Sequence, residues 1–337
     1  MMNPLITSTS DQKLNLVALS NRVVLLLALL FSASPSSAID VADGLKVVTG
    51  TQATYSIARA LLEDTSIETV NVPEDGRRFN SLKDYIERRT SRFEPLFKSA
   101  DAVVAVTNAL PADPLYRFAR EANINLVYID AAQPWSLSSP GVALVEQPST
   151  NVAWATDDTS RETVSDAPYF WLSLTNAIRM TDIVGVDLAR TFPEFAALIL
   201  SNRDALKVEL LALYREFQNQ LLDVADISVF ALANEFVYLT NDMGLYVDGY
   251  FLKQDIDWTD EDLDRLTAHL QSREIKVVLH KWEPSEAIQG AVQAAGAELV
   301  VLDTADPGLT VDRKLVTDGY QQILRGNLEK IILGFAR

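Results

Sequence analysis

The sequence predicts an α/β fold: two βαβ lobes with central parallel sheets, joined by a long rigid linking helix. Three observations predict it. Short apolar runs alternate with helical stretches over residues 45–129, and again over residues 227–335. Between these blocks, residues 169–224 are almost continuously helical in pattern. The hydrophobic content of 48% over 337 residues is ample for buried cores. Strands alternating with helices indicate parallel βαβ units.

In the first block, Leu45 to Thr49 is an apolar strand ending at Gly50, and Ala53 to Leu62 has helical spacing. Ile67 to Val72 reads as a second strand and Ser81 to Lys98 as one charged amphipathic helix. Asp101 to Val106 is a third strand, Pro114 to Ala122 a helix and Leu126 to Ile129 a fourth strand. Residues 130–167 lose this rhythm. They are rich in Ser, Thr, Asp and Pro and read as loop, with one strand at Val142 to Glu146. A loop of that length is usually functional or disordered.

In the linking stretch, Pro193 suits the first turn of a new helix, where its missing N–H costs nothing. From there Phe195, Leu198, Leu206, Leu210, Leu213, Phe217 and Leu221 form a long apolar stripe. The second block opens with a strand at Ile227 to Leu232 and a short helix at Glu235 to Asp242, closed by Gly244. Leu245 to Phe251 is a strand. Thr259 caps a helix through Gln271, with Asp262 at the capping-box position. Ile275 to His280 is a strand, Pro284 to Ala294 a helix ended by Gly296, Glu298 to Leu302 a strand, and Val316 to Phe335 the closing helix. The domain organisation that follows is a signal peptide over 1–38, an N-terminal lobe over 39–167, linking helices over 168–224 and a C-terminal lobe over 225–337. In two lobes of this kind a ligand sits between them, near the carboxyl ends of the strands.

The first 38 residues read as an export signal. Lys13 and Arg22 give a positive leading region, Val23 to Phe31 is an apolar run, and Ser36-Ser37-Ala38 supplies small residues for cleavage. The run is too short for a comfortable membrane span. The chain has no cysteine, which excludes disulfides, thiolate metal sites, a Cys nucleophile and a lipid-anchoring cysteine. The formal net charge of −17 disfavours nucleic acid and anionic membranes as partners. The expected protein is therefore soluble, exported and periplasmic.

Catalytic constellations are missing from the sequence. It holds no G-x-S-x-G elbow, no H-E-x-x-H, no Walker loop and no G-x-G-x-x-G. With two histidines and no cysteine, nucleophile–base pairs are scarce. The acidic pairs Asp157-Asp158 and Glu261-Asp262 lie in polar loop and helix-start contexts, where solvated roles explain them better than a tuned acid and base. No enzymatic activity and no catalytic cofactor are expected.

Several segments carry a resemblance. Asp318-Gly319-Tyr320 followed by Asn327-Leu328-Glu329-Lys330 resembles an Asp-Ser-Tyr…Asn-Leu-x-Lys ending. Ala167-Pro168-Tyr169-Phe170-Trp171-Leu172 resembles Asp-Pro-His-x-Trp-Leu. Phe192-Pro193-Glu194 with Asn202 resembles an Asp-Pro-Glu…Asn helix start, Phe236 to Leu239 with Gly244-Leu245 a Phe-x-Tyr-Phe…Gly-Leu segment, and Glu298 to Asp303 a late Val-Leu-Asp strand end. In order and spacing these segments resemble the zinc/manganese substrate-binding proteins of ABC importers, from about Leu45 to the C-terminus. The resemblance implies two α/β lobes on a stiff helical backbone. It also implies capture of a transition metal, Zn or Mn, as transported ligand, and delivery to an ABC permease in the inner membrane by a protein expected to be a monomer.

The family's ligand set of histidines and carboxylates is largely missing. Where the first His is expected the chain has Pro73-Glu74-Asp75-Gly76-Arg77-Arg78-Phe79. Tyr169 stands at the second position, and the third falls on Ala233, with Asn234 and Glu235 beside it. Asp318 is the one match, so Asp318 and Glu235 are the metal-ligand candidates, with Tyr169 and Asn234 able to add oxygen. Such an all-oxygen site prefers Mg²⁺, Ca²⁺ or Mn²⁺ to Zn²⁺. The alternative for Glu235 is a first-turn position favoured by the helix dipole. Arg77 and Arg78 would repel a bare cation and favour an anionic ligand or a metal chelate, unless they form a solvated turn. His280 at a strand end is read as structural and His269 as a surface residue; a three-His site bridging the lobes cannot be built from them. Trp135 and Trp154, in the irregular loop, are placed to stack on an organic ligand, whereas Trp171 is read as packing.

The expected function is the periplasmic binding component of a metal-type importer that takes a metal ion or a metal-containing or anionic ligand. The alternatives are a degenerate homologue that no longer transports and acts as a cell-envelope interaction protein, and an enzyme built on the same scaffold.

Overall fold

The computed structural model describes residues 44–136, 140–155 and 165–337. The expected export signal over 1–38 lies outside them. Residues Gly44–Arg337 form one compact unit, and no helix among the described residues is long and apolar enough to cross a membrane.

The first lobe is built on β1 (Lys46–Thr49), β2 (Glu68–Asn71), β3 (Ala102–Ala105) and β4 (Val127–Asp130). They run parallel in the order β2-β1-β3-β4. The central strands read VVT and AVVA because both faces of the sheet are covered, so no polar alternation is needed. Crossover helices are α1 (Gln52–Leu61), α2 (Phe79–Glu87), α3 (Thr90–Ser99) and α4 (Leu115–Ala122). The single helix expected over 81–98 is two. The chain turns at Arg88 and Arg89, and Pro95 sits inside α3, where it can donate no backbone hydrogen bond. The break lets Leu82 and Ile86 on one side, and Phe93 and Phe97 on the other, fill the same core.

Linking helices α5 (Leu174–Thr191) and α6 (Ala196–Leu221) follow, with Pro193 opening the short 3₁₀ turn between them. The expected stripe is realised by Leu206, Leu210, Leu213, Phe217 and Leu221, all buried; Leu198 is half-buried, and Ile199 is buried beside it. The second lobe repeats the first. Strands β5 (Ser228–Ala231), β6 (Tyr246–Tyr250), β7 (Val277–His280) and β8 (Glu298–Val301) are parallel in the order β6-β5-β7-β8. Its helices are α7 (Val237–Met243), α8 (Asp260–Ser272), α9 (Glu286–Ala294) and the closing α10 (Gly319–Phe335). Gly244 ends α7 at φ +72°, a left-handed cap that glycine adopts without strain. The Thr259–Asp262 capping box of α8 forms as expected.

Three features depart from the sequence reading. A small hairpin, β9 (Thr310–Val311) with β10 (Lys314–Leu315), lies in what reads as loop. The strand expected at Val142 to Glu146 is reduced to isolated bridges, Pro134 with Val142 and Glu146 with Asp166. The neighbouring residues, grouped with the first lobe on sequence, pack on the second. Asn151 exchanges hydrogen bonds with Tyr250, and Val152 lies in the core formed by Phe230, Leu266 and Ile288.

The two lobes are tied by their last connection. Gln52 on α1 donates to the Val316 carbonyl at 3.0 Å and accepts from the Leu309 N–H at 3.1 Å. The Tyr320 N–H donates to Ser56, and the Leu315 N–H to the Glu74 carbonyl. These bonds hold the segment before α10 against the first lobe.

Candidate functional site

The carboxyl ends of strands from both sheets face one cavity of about 610 Å³. From the first lobe, the turn after β2 brings Arg78 and Phe79, and the turn after β3 brings Leu110. From the second, Glu235 follows β5, Lys281 and Trp282 follow β7, and Asp303 and Asp306 follow β8. Tyr169 and Trp171 come from the entry to the linking helices, and Lys330 from α10. Side chains at the ends of parallel strands are free of sheet pairing, which is why ligands gather there.

Three hydrogen bonds set the shape of the cavity. The Phe79 N–H at the start of α2 donates to Asp306 Oδ1 at 2.8 Å, joining the lobes across it. Trp171 Nε1 donates to the Thr304 carbonyl at 2.9 Å, and the Tyr320 hydroxyl donates to the Trp171 carbonyl. Trp171 is fully buried, so it packs, as expected, and also forms part of the cavity wall.

The electrostatics are mixed. Burial pushes the Asp306 carboxyl up to about 6, against the opposing pull of the Phe79 N–H and the Arg78 charge. The Tyr169 hydroxyl hydrogen-bonds to Asp306; burial first, then the nearby carboxylates of Asp306 and Glu235, push it up to about 12. Glu235 Oε1 is paired with the Lys281 ammonium, while its Oε2 is buried with no partner. Asp303 Oδ1 accepts from the Ala305 N–H at 2.7 Å. Lys330 gives one N–H to the Val301 carbonyl at 2.9 Å. Arg78 is exposed toward the cavity and makes no side-chain hydrogen bond among the described residues.

The expected site residues are brought together only in part. Tyr169, Glu235 and Arg78 line the cavity. Asp318 does not. It is exposed at the N-terminal boundary of α10, where it accepts from Gln322 Nε2 at 2.9 Å. Asn234 points elsewhere and donates to the Pro148 carbonyl at 2.8 Å, fastening the irregular loop. The Arg77–Arg78 pair is split: the Arg77 guanidinium lies 4.2 Å from the Tyr85 ring centroid, opposite Arg89, and only Arg78 reaches the cavity. Asp318 thus lies outside the lining of the cavity that holds Glu235, and no group of three His, Cys, Asp or Glu among the described residues is placed to hold a metal ion.

His280 is structural, as expected. It is buried, and its Nδ1 accepts from the N–H groups of both Lys281 and Trp282, at 2.8 and 3.3 Å. That fixes Nε2 as the protonated nitrogen of the neutral ring, facing Asp255 at 3.6 Å, and burial lowers its pKa. His269 is not a free surface residue: Nε2 lies 2.6 Å from Asp248 Oδ2 and the ring rests on Trp154. Trp154 is accordingly packed against Phe230 and Phe251, whereas Trp135 is exposed as expected.

Sequence reading missed Asp306, Lys281, Trp282 and Lys330 as cavity residues. For Asp303 there was a signal, the strand end Val301-Leu302-Asp303. Lys281 and Trp282 follow directly on the strand that ends at His280, so the rule that places ligands at strand ends points to them.

Comparison with solved structures finds the same architecture. The manganese-bound form of FpvC, a substrate-binding protein from Pseudomonas aeruginosa, is 18% identical, with a TM-score of 0.62, covering 87% of this chain and 99% of that one. A periplasmic metal binding protein from Candidatus Liberibacter asiaticus is 16% identical, with a TM-score of 0.61, 86% and 99% covered. ZnuA is 15% identical, with a TM-score of 0.61, 87% and 99% covered. No curated protein sequence matches the chain. The profile of the family described as ZnuA, zinc-uptake complex component A periplasmic, matches residues 47–333. By that match, which spans both lobes and the helices between them, the chain belongs to the periplasmic zinc-uptake component A family.

Proposed function

We propose that this protein is the exported, soluble, monomeric substrate-binding component of a metal-type ABC importer. It captures a metal ion, or a metal-containing or anionic ligand, between its lobes and delivers it to a permease in the inner membrane. The observation that carries this reading is the cavity itself, walled by the carboxyl ends of strands from both lobes and crossed by the Phe79–Asp306 bond. A ligand touching Arg78 on one side and Asp303 or Lys281 on the other contacts both lobes at once. Its binding energy then favours one lobe arrangement over others, which is the differential contact a permease needs to tell loaded from empty receptor. Family membership and the solved metal-binding relatives support the same role. The chain acts by binding rather than by catalysis.

A second reading has one observation in its favour. With no three-residue metal cluster among the described residues, the chain fits a homologue that has given up transport and serves as an interaction protein in the cell envelope.

Thermal unfolding of chelator-stripped protein separates the two. A receptor is stabilised by its ligand, by about 2.7 kcal/mol at a hundredfold excess over Kd. Titration with Zn²⁺, Mn²⁺, ferric chelates and organic anions is expected to give a concentration-dependent rise in Tm with at least one of them. Silence to all would sink the transport reading in favour of the second.

A further inference from the structure

The walls of the cleft say more about the ligand than the family does. Its volume of about 610 Å³ lies in the range of sites for whole organic molecules, whereas a single water takes up about 30 Å³. The lining is of the kind that holds such molecules: Tyr169, Trp171, Phe79 and Trp282 supply aromatic surface, with polar groups between them. Trp282 is 44% exposed and carries the Lys281 ammonium 4.4 Å from its ring centroid, so it joins aromatic surface to positive charge.

The polar groups are unsuited to a bare divalent ion. Three cations, Arg78, Lys281 and Lys330, share the cavity with the carboxylates and repel an uncomplexed cation. Each carboxylate already has one oxygen engaged: Asp306 by the Phe79 N–H, with Tyr169 beside it, Glu235 by Lys281, and Asp303 by the Ala305 N–H. No imidazole lines the cavity.

Two groups with unused capacity come from opposite lobes and are opposite in kind. Arg78, from the first lobe, offers a planar fork of donors that matches a carboxylate. Glu235 Oε2, from the second lobe, is a buried acceptor without a donor, a state that costs free energy until something fills it. Resting on the transport reading, we infer that the cleft takes a carboxylate-bearing organic chelator with an O–H or N–H donor, its metal held in the chelator's own donor set, and not a bare metal ion. The carboxylate lies on Arg78, the donor on Glu235, and the organic body against Trp282.

Citrate, which carries carboxylates and one hydroxyl, is the probe. Isothermal titration of chelator-stripped protein with ferric citrate, citrate, Mn²⁺ and Zn²⁺ is run on the wild type, on Arg78→Ala and on Arg78→Lys. The expected result is one-to-one binding of ferric citrate with no heat from the bare ions, weakened at least tenfold by R78A and partly restored by R78K. Arg78 is exposed, so both variants are expected to keep the wild-type Tm. Stoichiometric binding of Mn²⁺ or Zn²⁺ alone, unchanged in R78A, would overturn the inference and leave the transport receptor standing. Ferric citrate binding that R78A leaves intact would overturn the assignment to Arg78 and this cleft. No heat from any probe would overturn the inference, while the wider thermal panel decides the transport reading separately.

Discussion

The two lobes share a strand order and differ in what leaves their strand ends. Both sheets place their second strand at one edge, their first and third in the middle and their fourth at the other edge. Yet the first lobe gives the cavity one charged side chain, Arg78, whereas the second gives Glu235, Lys281, Asp303, Asp306 and Lys330. The scaffold is repeated and the chemistry is not. The first lobe thus offers the cavity one cation, and the second offers both signs of charge. The lesson is that most of the cavity's charge sits on one lobe, while the hinge between the lobes is a separate feature, with Trp171 bonded to Thr304.

Breaking that hinge gives the largest expected effect. Trp171 is fully buried between the lobes and bonded to Thr304, so Trp171→Ala is expected to cost about 3–5 kcal/mol in a urea melt. A loss below about 1 kcal/mol would show that the lobes are held elsewhere.

Asp306 comes next, since it joins the lobes through a group with a raised pKa. Its carboxyl titrates near 6 when folded and near 3.8 otherwise. Between these values the folded state keeps a proton that the unfolded state has released. Stability from this group is therefore present below pH 4, declines as pH rises toward 6 and is flat above, a fall on the order of 2–3 kcal/mol. Asp306→Asn keeps an acceptor for the Phe79 N–H and is expected to flatten this part of the pH profile. An unchanged profile would remove Asp306 from the account.

Lys281→Met tests the second lobe alone. It leaves Glu235, 13% exposed, without its cation, at an expected cost of about 1–3 kcal/mol at pH 7. Asp318→Ala is the smallest effect and the sharpest contrast with the sequence reading. Asp318 is exposed and makes no side-chain capping bond. Its loss is expected to change Tm little, by less than about 0.5 kcal/mol equivalent, and to leave ligand affinity unchanged. A tenfold loss of affinity would return Asp318 to the binding site.

The sequence made the architecture legible because burial on both faces writes each strand as an unbroken apolar run, and because one long stripe from Leu206 to Leu221 can only be a helix against a core. Turn chemistry was legible where it is local, as at Gly244 and at Thr259 with Asp262. It failed at Arg88-Arg89, where a helical period runs on across a real break, and at Thr310 to Leu315, a hairpin too short to show alternation.

The site was legible by half. Tyr169 and Glu235 line the cavity and are legible through the family resemblance, at and beside its second and third ligand positions, and Arg78 through its charge in the turn at the first. Asp318 was chosen because a motif carried it, but the motif fixes a helix start and not a direction toward the cavity. Arg77 and Arg78 are adjacent in sequence and part in space, because one stacks on Tyr85 and the other follows the chain into α2. The sequence by itself determined the repeated α/β layers, the linking helices and the scarcity of imidazole, since these follow from local periodicity and composition. Only the tertiary structure decided that Asp306, Lys281 and Lys330 meet Arg78 across one cavity. Those residues lie about 200 to 250 positions from Arg78 in the chain, and no local pattern encodes which loop ends converge when two sheets are brought face to face.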